Sequence, residues 1–365
     1  MTRETEYSSG NGDKLCGIQR QGPNGERDMS PEQDGEERLR AEIDAYHAAA
    51  LAFAAVKLGL PDTMGSRRWT AEQLGAELGL SPPHLLRFLR GLSTLGICEE
   101  HADHTFALAS LGRSLASGSS SRLGEKVMIV VEQYWQPWAE LVSSLQTGIP
   151  AFEHVFGMPV SDWRRTRADQ GALFNAYLAK ETFAQGDAIV EAWHWSDVKT
   201  VADIGGGYGG LLAAILRVQP HVTGILFDQP QTIEQAKPFL KSLGVAERVA
   251  LVGGDVFAAI PVRADRYLLK SVLQQWDDAN AVAILRRCRE AMPPRAKLLI
   301  IERLLYEIAT EDPSAVMIDL HMMVINGGRA RTLDEIERLL AQVGLAISKV
   351  HATRSGFSIL EAVLV

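Results

Sequence analysis

Asp203, Asp228, Asp255, Lys270 and Glu302 each stand at or just beyond the end of a short apolar run. Three consecutive glycines, Gly205, Gly206 and Gly207, follow the first of these acids, with a fourth at Gly209. Ligands of open parallel sheets gather at the carboxyl ends of the strands, so this set of charges suits a nucleotide-like ligand. Residues 201–209 read as a strand that turns sharply into the apolar helical run 211–216. A turn of that kind, with a ligand against its backbone, needs residues without a Cβ, which makes Gly205 and Gly207 candidate contacts. Asp228, twenty-five residues after Asp203, is placed to accept hydrogen bonds from a ribose diol, with Gln229 beside it. In Gly254-Asp255-Val256-Phe257, Asp255 could receive an adenine amino group with Val256 or Phe257 against the ring, or it could simply cap a helix. Lys270 and Ser271 end a further strand. On spacing alone, NAD and S-adenosyl-L-methionine suit this layout about equally.

The elements that must carry these groups alternate. Strands are expected at 201–204, 225–228, 249–252, 266–270 and 297–301, with helices over 232–243, 279–291, 316–325 and 334–343. A final hairpin near 346–351 and 358–363 adds an antiparallel edge to a doubly wound α/β parallel sheet. Asp277 and Asp278 read as a helix cap and a first-turn acid, not as a cation pair.

Upstream the chain is helical. Residues 1–35 are rich in Gly, Asp, Glu, Gln and Ser and are expected to be disordered. Tyr46, Ala50, Phe53 and Ala54 form a stripe on a helix over 43–58, an ordinary core or a dimer seam. Thr70 and Gln73 fit a capping box, and Ser81 with Pro82 opens a helix bearing Leu85, Leu86, Leu89 and Leu92. Strands at 97–99 and 105–108 and a helix capped by Ser110 complete a winged helix. Its second helix offers only His84, Arg87 and Arg90 beside a leucine stripe, so dimerisation or a lid over substrate fits it better than DNA contact. Residues 123–190 carry Tyr134, Trp135, Trp138, Phe152, Phe156, Phe174, Asn175 and Tyr177, broken at Gly148-Ile149-Pro150. These aromatics are either core or the lining of a cleft for a flat, largely apolar substrate. The expected organisation is therefore 1–35 disordered, 36–118 winged helix, 119–190 linker and substrate region, and 191–365 nucleotide-type domain.

Composition narrows the classes. The net charge of -8 argues against a dedicated nucleic-acid binder. No run of about 18 apolar residues is present, and no leader opens the chain, so a cytoplasmic protein without a membrane span is expected. Cys16, Cys98 and Cys288 are scattered and odd in number, which reads as reduced thiols, and no His/Cys/Asp grouping has metal-site spacing.

Taken in order, several stretches resemble the small-molecule S-adenosylmethionine-dependent O-methyltransferases of plants (caffeate and flavonoid enzymes) and of bacterial natural-product pathways. They are 203–209, Phe227-Asp228-Gln229-Pro230, Gly254-Asp255-Val256-Phe257, 264–270, Trp276-Asp277-Asp278, and Asp319-Leu320-His321-Met322 running to Gly327-Gly328. The resemblance covers nearly the whole chain beyond residue 35. It implies a Rossmann-like methyltransferase sheet domain preceded by a winged-helix dimerisation domain, and an intertwined homodimer. It implies a cavity for a small aromatic substrate between the helical part and the sheet. Cofactor contacts are implied at Gly205, Asp228, Asp255, Val256 and Lys270. Tyr134, Trp135, Phe156, Phe174, Asn175, Gln275 and Met322 are candidate substrate contacts.

One departure bears on mechanism. The family usually reads Leu-His-Asp-Trp where this chain reads Leu273-Gln274-Gln275-Trp276, so the histidine base falls on Gln274. An amide cannot take a proton from a hydroxyl. One acid that orients the histidine is kept as Glu302, whereas the other falls on Ala330. The bacterial anthracycline-tailoring branch is similar in lacking the histidine and in having Gly-Gly-Arg-x-Arg-Thr at 327–332; it contains a methyltransferase and a cofactor-dependent hydroxylase. Three mechanisms follow: oxygen methylation by proximity alone, methyl transfer to carbon or nitrogen, or a non-methylating use of the cofactor. Other candidate bases are His321, His154 and Glu302. A NAD-dependent dehydrogenase leaves Asp255 and Lys270 unexplained, a transcription regulator leaves the nucleotide domain idle, and a cofactor-binding protein without catalysis is the reading that Gln274 keeps open.

Overall fold

The computed structural model describes residues 31–365. It comprises two compact units, one ending at His47 and the other spanning Ala48–Val365. In the first, the helix Pro31–Asp44 begins inside the stretch expected to be disordered; the rest of that expectation, residues 1–30, lies outside the described residues. Everything that follows concerns the second unit.

The small helical module forms for local reasons. Thr70 Oγ1 accepts from Gln73 N at 3.2 Å while Gln73 Oε1 accepts from Thr70 N at 3.1 Å, a reciprocal cap that starts the helix Ala71–Leu78. Pro82 opens the helix Pro82–Thr94, whose Leu85, Leu89 and Leu92 are buried with Trp69, Leu74 and Phe106. Strands β1 (Cys98–Glu100) and β2 (Phe106–Leu108) pair antiparallel as the wing. Arg90, a candidate DNA contact, is held by Glu100 at 3.0 Å. Ser110 does not cap the next helix, Ser110–Arg113; it is the first helical residue, and the cap position falls on Ala109 without a side-chain bond.

The sheet is built from β3 (Thr200–Ile204), β4 (Thr223–Asp228), β5 (Val249–Gly253), β6 (Arg266–Lys270), β7 (Lys297–Glu302), β8 (Leu345–Ala352) and β9 (Ser358–Leu364). Their order is β5-β4-β3-β6-β7-β9-β8, parallel as far as β7 and antiparallel at the β9–β8 edge. The direction of winding reverses between β3 and β6, so the crevice for a ligand opens where Asp203 and Lys270 emerge. Leu211, Leu212, Ile215 and Leu216 of the helix Gly210–Val218 are all buried. The long helix Ala168–Ala192 lies unusually close to it: a Cβ on Gly186 would stand 2.3 Å from Ala214 Cβ, and one on Gly210 would stand 2.3 Å from Ala179 O.

Between module and sheet, one feature had no sequence signal. The helices Leu123–Ile129 and Trp135–Ala139 are joined by a π-helical turn, Val130–Tyr134, which rotates Gln133 into full burial and presents Tyr134. Phe152, Trp163, Val324 and Ile325 form a local core with Phe156, whose ring lies 4.6 Å from Phe152 and 5.3 Å from Trp163. Phe156 thus fits the core reading of the aromatics. Cys98 and Cys288 are buried thiols, each pushed up to about 12 by desolvation; Cys16 lies outside the described residues. Among the described residues no helix is long and apolar enough to cross a membrane, and no group of three or more His, Cys, Asp or Glu could hold a metal ion.

Candidate active site

The glycine loop has the conformation its composition requires. Gly205, Gly207 and Gly209 have φ of 68°, 61° and 82°, the left-handed region that residues with a Cβ rarely adopt. Asp228 at the end of β4 fixes the loop, accepting from Gly207 N at 2.8 Å through Oδ2 and from Gln229 N at 2.7 Å through Oδ1. Burial pushes its carboxyl pKa up, against these hydrogen bonds and one from Thr232. Asp203 lies underneath, 2 % exposed, and its Oδ2 has no partner. Burial first, and the Asp228 charge second, raise its pKa to about 7, with Lys270 acting the other way. Lys270 is itself pulled down to about 8 by burial; its Nζ lies 3.5 Å from Thr182 Oγ1 and 4.5 Å from the Phe357 ring centre. Asp255 is exposed, and one oxygen caps the turn that follows by accepting from Phe257 N at 2.9 Å, which leaves the other free. Gly254 packs on Phe227, where a Cβ would meet the ring at 2.7 Å. Phe257 meets Trp276 edge-on at 4.8 Å, and Val256 packs beside them on the core.

The turn that carries Gln274 is clamped from two sides. Glu302 Oε1, at the end of β7, accepts from Leu273 N at 3.1 Å and from Gln274 N at 3.4 Å. Arg331, almost wholly buried, donates to Leu273 O at 2.9 Å and Trp276 O at 2.8 Å, and pairs with Asp278 at 2.9 Å. Gly328 presses on the same turn, for a Cβ there would stand 2.2 Å from Gln274 O. Ser271, at φ 55°, takes the strained left-handed conformation at its entrance. The Gln274 side chain has no hydrogen-bond partner among the described residues, so its amide is free to meet a ligand.

Several candidate residues are engaged with the chain itself. Glu302 is buried with its Oε1 on the turn's backbone, which it positions, and burial lifts its pKa to about 7. Gln275 is exposed and donates from Nε2 to Ser271 O at 2.7 Å, so it braces the turn as well. Asn175 hydrogen-bonds the Tyr208 hydroxyl, which also donates to Gln235, and thereby supports the glycine loop. His154 is exposed on the helix Ala151–Phe156. Met322 accepts weakly from Asn326 Nδ2 at 3.6 Å, and Trp135 joins none of the ring contacts found among the described residues.

His321 is held by Trp138, whose indole Nε1–H donates to Nδ1 at 3.1 Å, and its ring meets Tyr134 edge-on at 4.6 Å. Burial first, and Arg164 second, lower its pKa to about 4. A neutral imidazole that accepts at Nδ1 carries its proton on Nε2, so His321 offers a donor there. The position once expected for a second orienting acid, Ala330, is buried and donates its N–H to Asp319 at 2.8 Å. Arg164, Thr182 and Gln133, which the sequence did not single out, contact Tyr134, Lys270 and Arg164 respectively. Only the folded chain separates Arg164 from its neighbour Arg165.

Residues 138–346 match the O-methyltransferase domain family, and residues 42–118 match the O-methyltransferase dimerisation domain. The chain belongs to the O-methyltransferase family. It is 38% identical over 321 residues to a phenazine O-methyltransferase, PhzM, of Lysobacter antibioticus, covering 88% of this chain and 94% of that one. It is 33% identical to aclacinomycin 10-hydroxylase RdmB of Streptomyces purpurascens, covering 84% and 85%. The solved structure of NcsB1, an O-methyltransferase from neocarzinostatin biosynthesis in complex with S-adenosylmethionine and 2-hydroxy-5-methyl naphthoic acid, matches with TM-score 0.74 and 28% identity over 87% of this chain and 96% of that one. The NAD reading is thereby replaced: the cofactor is S-adenosylmethionine. The chain's own residues fit it, in the glycine cradle, the paired turn at Asp228 and the partnerless buried oxygen of Asp203, a counter-charge for a cationic ligand.

That fit carries a pH dependence. The cationic cofactor favours ionised Asp203, whose pKa in the free protein is about 7. Affinity for S-adenosylmethionine is therefore expected to fall by up to about tenfold per pH unit below 7, with proton release on binding. Calorimetry in buffers of different ionisation enthalpy measures both, and a flat profile between pH 5.5 and 8 would remove Asp203 from the site.

Proposed function

We propose that this chain methylates an oxygen of a planar aromatic small molecule in bacterial natural-product biosynthesis, without a general base. The carrying observation is the clamped turn that presents an unpartnered amide, Gln274, where a base would stand. When bound, S-adenosylmethionine supplies an electrophilic methyl group. The chain's residues then act by holding and orienting. Asp228, the glycine loop and Asp255 hold one partner, and the amide of Gln274 and the Nε2–H of His321 orient the other. Clamping by Glu302 and Arg331 keeps the Gln274 turn in one geometry, and near-attack placement supplies most of the acceleration available without proton transfer. An acceptor oxygen that is already ionised needs no base.

The 33% identity to a hydroxylase and the missing base also support a second reading, methyl transfer to nitrogen or carbon or a hydroxylase-like use of the cofactor. A product that gains an oxygen mass in place of a methyl mass would establish the latter. The dimerisation domain supports a homodimer. The charge of -8 and the Arg90–Glu100 pair argue against nucleic-acid binding, and a cytoplasmic location accords with buried, reduced thiols.

The test is Gln274→His. General bases contribute about 10²–10⁴-fold. With a hydroxyarene that the enzyme methylates, the variant's kcat/KM is expected to stay within about threefold of wild type. A gain of about a hundredfold or more would mean that the reaction had been waiting for a base, and the base-free mechanism would be wrong.

A further inference from the structure

Arg164 is a charge that this reaction, as proposed so far, does not use. The helix Val160–Thr166 turns it inward, whereas its neighbour Arg165 pairs at the surface with Asp162 at 2.9 Å. The Arg164 guanidinium lies 3.3 Å from the centre of the Phe174 ring. It donates from Nε to Gln133 Oε1 at 3.0 Å and from Nη2 to the Tyr134 hydroxyl at 3.2 Å. All three partners are neutral. Among the described residues, no carboxylate forms an ion pair with it. Glu132, joined to this network through Gln170 and Gln133, is taken by Lys57 at 2.6 Å and by Gln170 at 2.8 Å.

Other interior arginines of this chain meet carboxylates or several carbonyls: Arg266 pairs with Asp197 at 2.7 Å and donates to Asp265 O at 2.8 Å, although its Nε has no partner. Arg331 finds Asp278, Leu273 O and Trp276 O, and Arg248 finds Leu216 O, Gln219 O and Val222 O. A guanidinium has five N–H donors, and with Nε and one Nη2 hydrogen engaged, the Nη1–Nη2 edge of Arg164 is left without a protein acceptor. That edge is the fork that matches a carboxylate. Flat rings gather around it: Phe174 beneath, Tyr134 alongside, and His321 and Trp138 beyond, with ring centres 4.6 Å from Tyr134 to His321 and 6.2 Å from Trp138 to His321. The field of Arg164 reaches His321, whose proton affinity it lowers.

The geometry points to an aromatic acid as the methyl acceptor, its carboxylate received by the free edge of Arg164. This rests on the methyltransferase reading above and names the substrate class of that site. Arg164 then acts as a specificity residue, fixing one end of the ring by charge so that the acceptor atom is oriented without a base.

The test is calorimetry on the full chain saturated with S-adenosylhomocysteine, with 3-hydroxy-2-naphthoate, its carboxamide and its methyl ester as probes. The acid is expected to bind at least about tenfold more tightly than either neutral form. Arg164→Gln is expected to erase that preference with S-adenosylhomocysteine affinity unchanged, and Arg164→Lys to keep part of it. Equal binding of acid and carboxamide, no binding of the acid, or a preference that survives Arg164→Gln overturns the inference. If the glutamine variant loses S-adenosylhomocysteine as well, the wild-type acid-to-carboxamide ratio and the lysine variant decide. Failure of the wild type to bind S-adenosylhomocysteine would count against the methyltransferase reading instead, and the same acid and carboxamide titrations on the cofactor-free chain still decide the role of Arg164.

Discussion

Asp228→Ala is expected to weaken binding of both S-adenosylmethionine and S-adenosylhomocysteine by about a hundredfold or more, since hydrogen bonds to a charged acceptor are worth about 1.5–3 kcal/mol each. Two functions are lost at once. The carboxylate is the ribose acceptor expected at the end of β4, and it is also the group that holds the loop, through Gly207 N at 2.8 Å and Gln229 N at 2.7 Å. Without it, a loop with three glycines in the left-handed region regains the freedom that glycine has when unrestrained. Asp228→Asn keeps an acceptor and loses the charge, so its loss should be smaller. Calorimetry with both ligands measures the effect, and the rise in Tm on adding cofactor should vanish with it. An alanine variant that bound at wild-type affinity would show that the cofactor's ribose lies elsewhere.

Gly328→Ala should be the most damaging single-methyl change to catalysis. Its Cβ would stand 2.2 Å from Gln274 O and 2.4 Å from Gln275 C, both backbone atoms. A flexible side chain could move aside, but this turn is clamped by Glu302 on its N–H side and by Arg331 on its carbonyl side. Either the turn or the 326–332 loop must shift. A misplacement of about 1 Å can cost about a hundredfold in rate, and overpacking of this kind costs about 1–3 kcal/mol in stability. Cofactor affinity should be nearly unchanged, because the atoms nearest a Cβ at Gly328 belong to Gln274 and Gln275 and not to the glycine loop. The kcat of the variant, its Tm and its affinity for S-adenosylhomocysteine separate these effects. Normal turnover would mean that the geometry of the Gln274 turn does not control the reaction.

These expectations have different origins in the chain. The strand ends and glycine turn of the proposed cofactor site were legible from residue order. Gly205, Asp228 and Asp255 could be placed because a strand end, a glycine turn and an acid are matters of a few neighbouring residues. The capping box of Thr70 and Gln73 and the cap by Asp277, which accepts from Asn280 N at 2.8 Å, were legible for the same reason. The expectation that Gln274 stands where the family pattern has a histidine came from the same short range, since it rests only on the neighbouring Leu273 and Trp276.

The substrate half was not legible. Tyr134 is presented by a π turn that no periodicity announces. His321 presents a donor at Nε2 because Trp138, 183 residues away, occupies its Nδ1. Glu302 supports a turn 29 residues before it and not an imidazole. Asn175 and Gln275, whose residue types suit a ligand, prove to be engaged with Tyr208 and Ser271 O. Nothing in its local sequence singles out Arg164, and only packing against Phe174 and Gln133 marks it out.

By itself, then, the sequence determined the α/β architecture, the carboxyl-end cluster of acids and the amide at position 274, for each depends on short-range spacing or on the identity of a single residue. Tertiary structure alone decided the protonation state of His321, the raised pKa of Asp203 and the unsatisfied edge of Arg164. The physical reason is that desolvation and hydrogen-bond partnership are set by groups distant in sequence, and a side chain's chemistry follows from what surrounds it.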